Sequence, residues 1–102
     1  MLTSALAETL GSFVFVTVIL ATTTKGAIET LAPLLIGLAL AVAIYVCSKA
    51  SLGALNPVVA LVMYLRGDIN AVTTAVYVIC EVIGALLAFA WWKVARPAVF
   101  LK

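Results

Sequence analysis

The sequence predicts an all-α membrane protein built from three transmembrane helices and one re-entrant half-helix. Composition is the first observation behind this: of 102 residues, 67% are hydrophobic and only 10% are charged. A water-soluble domain of that length has no interior large enough to hide so much apolar surface. Segment length is the second. The apolar residues fall into four pieces, and three of them approach the roughly twenty residues a helix needs to cross a hydrocarbon core of about 30 Å. The third observation is the stretch SLGALNPVVALVMYLRG, residues 51–67, where an Asn-Pro pair interrupts the apolar sequence and the run after it is short.

The first expected span is Ala5–Thr22, closed by TTTKGAIET, in which Lys25, Gly26 and Glu29 read as a solvent-facing turn. No basic residue precedes this span and Glu8 lies inside it, so it reads as a retained helix, not a cleaved leader. The second is Leu31–Cys47, closed by SKASLG. The half-helix is Pro57–Arg66, which at 1.5 Å per residue covers about 15 Å, half the hydrocarbon thickness. Its ends carry their own punctuation. Asn56 is a strong N-cap and Pro57 suits the first helical position, where its missing N–H is not needed. Gly67 stands where a left-handed C-cap is expected, and Arg66 meets the negative end of the helix dipole.

SLGAL then becomes a non-helical loop dipping in from the same surface, which a membrane tolerates only inside protein or around a watery cavity. The last span is Ala71–Trp92, ending in a Trp91-Trp92-Lys93 anchor at the headgroups, with VARPAVFLK expected at the interface. A single proline-kinked helix from Leu31 to Leu65 is the simpler alternative. It strings Ser48, Lys49, Ser51 and Gly53 along an apolar span, which is costly.

Most chemistries have little to work with here. The formal net charge of +2 is small and dispersed, which argues against a nucleic-acid partner. There is no His, the commonest metal ligand and general base. Cys47 and Cys80 lie in separate apolar segments and read as small buried hydrophobes, not a disulfide or a metal pair. No enzymatic activity, cofactor or metal site is expected. The half-helix is the informative feature, because a helix starting near mid-membrane presents its positive dipole end there. Asn56 can cap that end with its side-chain oxygen while its NH₂ group meets the oxygen of a neutral solute, such as water or a polyol. Cations are repelled.

Four stretches in order carry a family resemblance: AETLGSFVFV, IGLALAV, SLGALNPVVAL and YVICEVIGALLA. Together they resemble the first half of an aquaporin (major intrinsic protein), over about Ala5 to Ala90. The resemblance implies that Asn56, Pro57 and Val58 occupy the pore signature, with Val58 where the family carries Ala. It implies that Glu8 accepts hydrogen bonds from the re-entrant loop, and that Glu81, where the family usually has Gln, is a second loop-bracing residue. Ile36 matches the outer selectivity filter, usually aromatic in water channels, and Val59 matches the place of the filter Arg in the family's second half. Gly11 and Gly84 match close helix crossings, which small residues permit.

A complete member of that family carries two such halves, inverted relative to each other, so the resemblance implies that a second half completes the pore. A second copy inserted upside down is the simplest source, giving an antiparallel homodimer with its two-fold axis in the membrane plane or a higher homo-oligomer; a different chain carrying the Arg half is the alternative mate. With the N-terminus inside, Lys49 and Arg66 face the cytoplasm while Lys25, Lys93, Arg96 and Lys102 face out. That bias is small and contrary to the positive-inside rule, which is permissive for insertion both ways. Two other classes are weighed. A small multidrug exporter shares the length and the Ala7-Glu8-Thr9-Leu10-Gly11 pattern but needs four full spans and no Asn-Pro half-helix. The other is a non-transporting structural or assembly membrane protein that keeps half a channel fold as a building block.

Overall fold

The computed structural model describes residues 1–24 and 29–99. Four α-helices follow one another: α1 Leu2–Thr23, α2 Ala32–Ser51, α3 Pro57–Arg66 and α4 Ala71–Val99, with a 3-10 turn at Glu29–Leu31 leading into α2. α1, α2 and α4 are long and apolar enough to cross a membrane, and α3 is a short apolar helix. The all-helical architecture of three spans and one half-length helix is therefore the one expected. The expected turn at Lys25 and Gly26 lies outside the described residues, as does the end of the tail, residues 100–102.

The helices outrun their apolar stretches. α1 begins at Leu2, α2 continues past Cys47 to Ser51, and α4 passes Trp92 and reaches Val99. Ser51, expected in the loop, is thus the last residue of α2. The reason is that hydropathy marks where lipid-facing side chains stop, whereas a helix stops where its backbone finds another partner. In α2 that partner appears at Leu52, whose left-handed backbone (φ 66°) turns its N–H back onto the Ser48 carbonyl at 2.8 Å. α4 begins with a cap the sequence reading passed over: the Asn70 side-chain oxygen accepts the Thr73 N–H at 2.8 Å.

α1 is the middle helix, packed on α2 along one side and on α4 along the other, while α3 rests against α4. α2 runs antiparallel to α1, since Ser4 near the start of α1 donates its hydroxyl to the Ala50 carbonyl near the end of α2 at 2.7 Å. α4 runs parallel to α1. Gly84 meets α1 at Thr9–Phe13, and further along Trp92 Nε1 donates to Thr24 Oγ1 at 2.7 Å. The Arg96 guanidinium lies over the Trp92 ring, 4.5 Å from its centroid, so indole and cation mark one end of the bundle as a pair. Lys49 and Arg66 mark the other.

What is buried is unlike the core of a water-soluble protein. Ala32, Ala43, Ala54, Ala60 and Ala88 are buried, and the largest fully buried side chains are Glu8, Ser12 and Ser51. Leu38, Tyr45, Val46, Leu61, Leu65 and Leu86 point outward. Lipid tails solvate large apolar side chains as well as a core does, so helices in a membrane associate through small residues and buried hydrogen bonds. The crossing of α1 and α4 shows this locally. A Cβ on Gly84 would collide with the Thr9 carbonyl oxygen and stand 3.0 Å from the Phe13 nitrogen and from Ser12 Cβ. Backbone touches backbone there.

Candidate functional site

The site is built on the segment joining α2 to α3. Leu52, Gly53 and Leu55 all have positive φ, at 66°, 64° and 52°. The left-handed region costs a non-glycine residue about 1–2 kcal/mol, so Leu52 and Leu55 need compensating contacts. Gly53 has no alternative, because a Cβ there would stand 3.1 Å from the Ile44 carbonyl oxygen and 3.2 Å from Ile44 Cα. Ala54 and Leu55 are both buried, which is the condition for non-helical backbone at membrane depth.

Glu8 supplies the compensation. It is fully buried on α1, its Oε1 accepts the Leu55 N–H at 2.9 Å, and its Oε2 accepts the Ser51 hydroxyl at 2.6 Å. Ser51 Oγ in turn accepts the Gly53 N–H at 3.3 Å. A single carboxylate thus gathers the end of one helix and the loop beyond it. Gly11, one turn further along α1, leaves the space that the Leu55 side chain enters: a Cβ on it would lie 2.6 Å from Leu55 Cδ2 and 3.0 Å from Cys47 Sγ. Loop and helix interlock.

Asn56 follows, extended (φ −152°, ψ 127°), and its Oδ1 accepts the Val58 N–H at 2.9 Å. That leaves its NH₂ group outside the cap. Pro57 opens α3, and at the far end Gly67 (φ 90°) closes it, its N–H reaching the Tyr64 carbonyl at 3.0 Å and that of Asp68 reaching Met63 at 2.8 Å. Arg66 Nε also donates to Asp68 Oδ2 at 2.6 Å, an exposed pair at the surface. The start of α3 borders a hollow of about 260 Å³ lined by Ser12, Phe15, Val16, Leu55, Asn56, Pro57, Glu81, Val82 and Ala85. Ser12–Val16 lie midway along α1 and Glu81–Ala85 midway along the span of α4. The tip of the half-helix therefore sits at mid-depth, with its positive end and a free amide donor facing a mostly apolar hollow. Such a group can hydrogen-bond the oxygen of a neutral molecule and disfavours a cation.

The other residues singled out in the sequence fall in different places. Glu81 reaches the hollow but makes no hydrogen bond to the loop: both its carboxyl oxygens are buried without a partner. Glu8 makes the hydrogen bond to the loop at Leu55, while Glu81 stands beside the backbone of Asn56 without one. Val58 and Val59 sit on α3, outside the lining of the hollow and exposed. Ile36 is half-buried on α2, near the opposite end from Ser51, and also outside the hollow. Ile36 and Val59 do not meet within one chain.

Three contributors were not singled out in the sequence: Ser51, Leu55 and Ser12. Ser51 carried a usable signal, since a hydroxyl inside an apolar segment needs a partner, and so did Ser12, whose hydroxyl is buried at the hollow without a protein partner. Leu55 carried none. It acts through its N–H and a strained φ, and neither is visible in a leucine.

Comparison with the curated proteins and with the solved structures finds no match. The family model for Major intrinsic protein matches residues 1–99, covering α1, the Asn56-Pro57 loop, α3 and α4 in one stretch. Members of that family are membrane channels for water and small solutes and are not enzymes. With three apolar spans around a mid-depth half-helix, the chain is an integral, multi-pass membrane protein belonging to the major intrinsic protein family.

Proposed function

We propose that this chain supplies one half of a channel for small neutral solutes, and that an opposing half entering from the other membrane face completes the pore. The observation that carries the reading is the tip of α3. Its capping amide spends its oxygen on Val58 N–H at 2.9 Å and keeps its NH₂ group free beside the mid-depth hollow. A donor there can replace one hydrogen bond that a passing water or polyol loses, and the dipole end discourages cations. A single half-helix encloses nothing. The opposing half is a second copy of the chain, inverted about an axis in the membrane plane.

In that arrangement Ile36 of one copy and Val59 of the other come together at each mouth, making two apolar constrictions without Arg or an aromatic ring. Val58 adds bulk where the two tips meet. Without the Arg and the aromatic ring the mouths exclude less by size and polarity, so glycerol is expected to pass at least as fast as water relative to protein-free membrane. Swelling of vesicles reconstituted with the purified chain tests this, together with the accessibility of a C-terminal tag on each membrane face. Fast water flux without glycerol flux contradicts the selectivity. A tag found on one face only removes the inverted homodimer and points to a different chain as the opposing half. No flux through a well-folded oligomer favours a building block that transports nothing.

A further inference from the structure

The crossing of α1 and α4 buries two carboxyl groups and no cation. Glu8 is fully buried and Glu81 is 4% exposed. Gly84 of α4 packs against Thr9, Ser12 and Phe13 of the parallel α1, so Glu81 and Glu8, each one turn before Gly84 and Ser12, lie at the same level of the crossing, and Glu81 shares the hollow with Asn56. The only ion pair among the described residues is Arg66–Asp68 at the surface. The other titratable groups facing the two are Tyr77, from α4, and Cys47, from α2 toward Glu8. Both are neutral.

The two carboxyl groups differ in what they are given. Glu8 accepts hydrogen bonds at both oxygens, from Ser51 and from Leu55, and it faces a loop that leads into the positive end of α3. Glu81 makes no hydrogen bond at either oxygen, although the backbone of Asn56 lies beside it. Two buried acceptor groups side by side, with hydrogen bonds made to only one of them, favour a proton between them.

We propose that Glu81 is a neutral carboxylic acid that donates its proton to the Glu8 carboxylate, so that one shared proton holds Glu8 against the Asn56 loop. Glu81 is in this sense a positioning residue acting through Glu8. The proton satisfies the otherwise unpartnered oxygen of Glu81 and gives Glu8 a third hydrogen bond on its side away from the loop. Removing that proton sets two anions against each other with one set of donors between them. Glu8 is then driven off the Leu55 N–H, and the backbone at Leu52 and Leu55 loses what holds it in the left-handed region. The proposal concerns the loop behind the tip and is tested without reference to transport, so a chain that passes no solute leaves it standing.

Infrared spectroscopy of the whole chain in bilayers, with carbon-13 glutamate to separate its bands from Asp68, reads the proton directly. The expected result is a carbonyl stretch of a protonated carboxylic acid in the wild type, persisting at alkaline pH where exposed carboxyls are ionised, and absent in Glu81→Gln. Gln keeps a donor toward Glu8, so the Leu55 amide stays as slow to exchange as in the wild type. Glu81→Leu has none, and exchange is expected to rise by about tenfold, the loss of one charge-assisted hydrogen bond. A wild type without the band overturns the proposal, and needs no variant to fold. A band that survives in Glu81→Gln puts the proton on another group and overturns the assignment. Equal Leu55 protection in Glu81→Leu and wild type overturns the positioning role.

Discussion

Replacing Glu8 by Ala removes both acceptors that hold the loop behind the half-helix. The Leu55 N–H, now at 2.9 Å from Oε1 and buried, loses its only partner. Ser51 fares better, because its hydroxyl also lies 3.3 Å from the Cys47 carbonyl and can fall back on it. The net cost is thus dominated by one buried donor left unpaired beside a backbone already strained at Leu52 and Leu55. A hydrogen bond to a charged group contributes about 1.5–3 kcal/mol and an orphaned buried donor costs a comparable amount, so about 3 kcal/mol of local stability is lost. At about 1.4 kcal/mol per factor of ten, the loop opens about a hundredfold more often.

Hydrogen exchange of the Leu55 amide, followed by NMR in lipid nanodiscs, reports that opening directly. Glu8→Gln is the control. Its carbonyl can accept from Leu55 while its amide donates to Ser51 Oγ, so its Leu55 exchange is expected to rise by no more than about tenfold, the cost of weakening one bond. The reasoning fails if Glu8→Ala exchanges Leu55 as slowly as the wild type while circular dichroism shows the helices intact.

Asn56→Ala removes the cap on Val58 N–H and is expected to cost about 1 kcal/mol, read as a lower unfolding midpoint in detergent. Under the proposed channel function the same variant is expected to abolish selective solute flux in vesicles, since Ala offers no donor at the tip. The two glycines Gly84 and Gly37 make a paired test. Gly84→Ala forces α1 and α4 apart at Thr9 and Phe13 and is expected to destabilise by about 1–3 kcal/mol. Gly37→Ala meets nothing within 4 Å and is expected to be neutral or to stabilise by up to about 1 kcal/mol. Thermal unfolding of both variants side by side decides, and similar midpoints would contradict the crossing.

Much of this architecture was legible before any coordinates. The three spans could be read because a bilayer demands about twenty apolar residues from any helix that crosses it, whatever else the helix touches. The half-helix could be read because Asn56, Pro57 and Gly67 act on backbone groups within a few residues of themselves. Both are local rules, satisfied by neighbours in the chain. Helix ends were less legible. α2 reaches Ser51, not Cys47, since the end is set by where Leu52 turns and not by where apolar side chains run out.

The long-range contacts were a different matter. The resemblance attached loop bracing to both Glu8 and Glu81; Glu8 takes the Leu55 N–H, while Glu81 lies beside Asn56 without making a hydrogen bond. Local sequence treats the two glutamates alike, as one carboxyl in each of two apolar helices. Three membrane crossings and a helix that starts half way across follow from the residues in order, because those features depend on length and on caps. Which carboxyl meets Leu55 and Ser51, how close Gly84 lets α1 and α4 come, and what surrounds Asn56 emerge only when the helices pack. Each of these depends on where residues some 25 to 75 positions apart are brought together, and the rotation of one helix against another is written in no single segment.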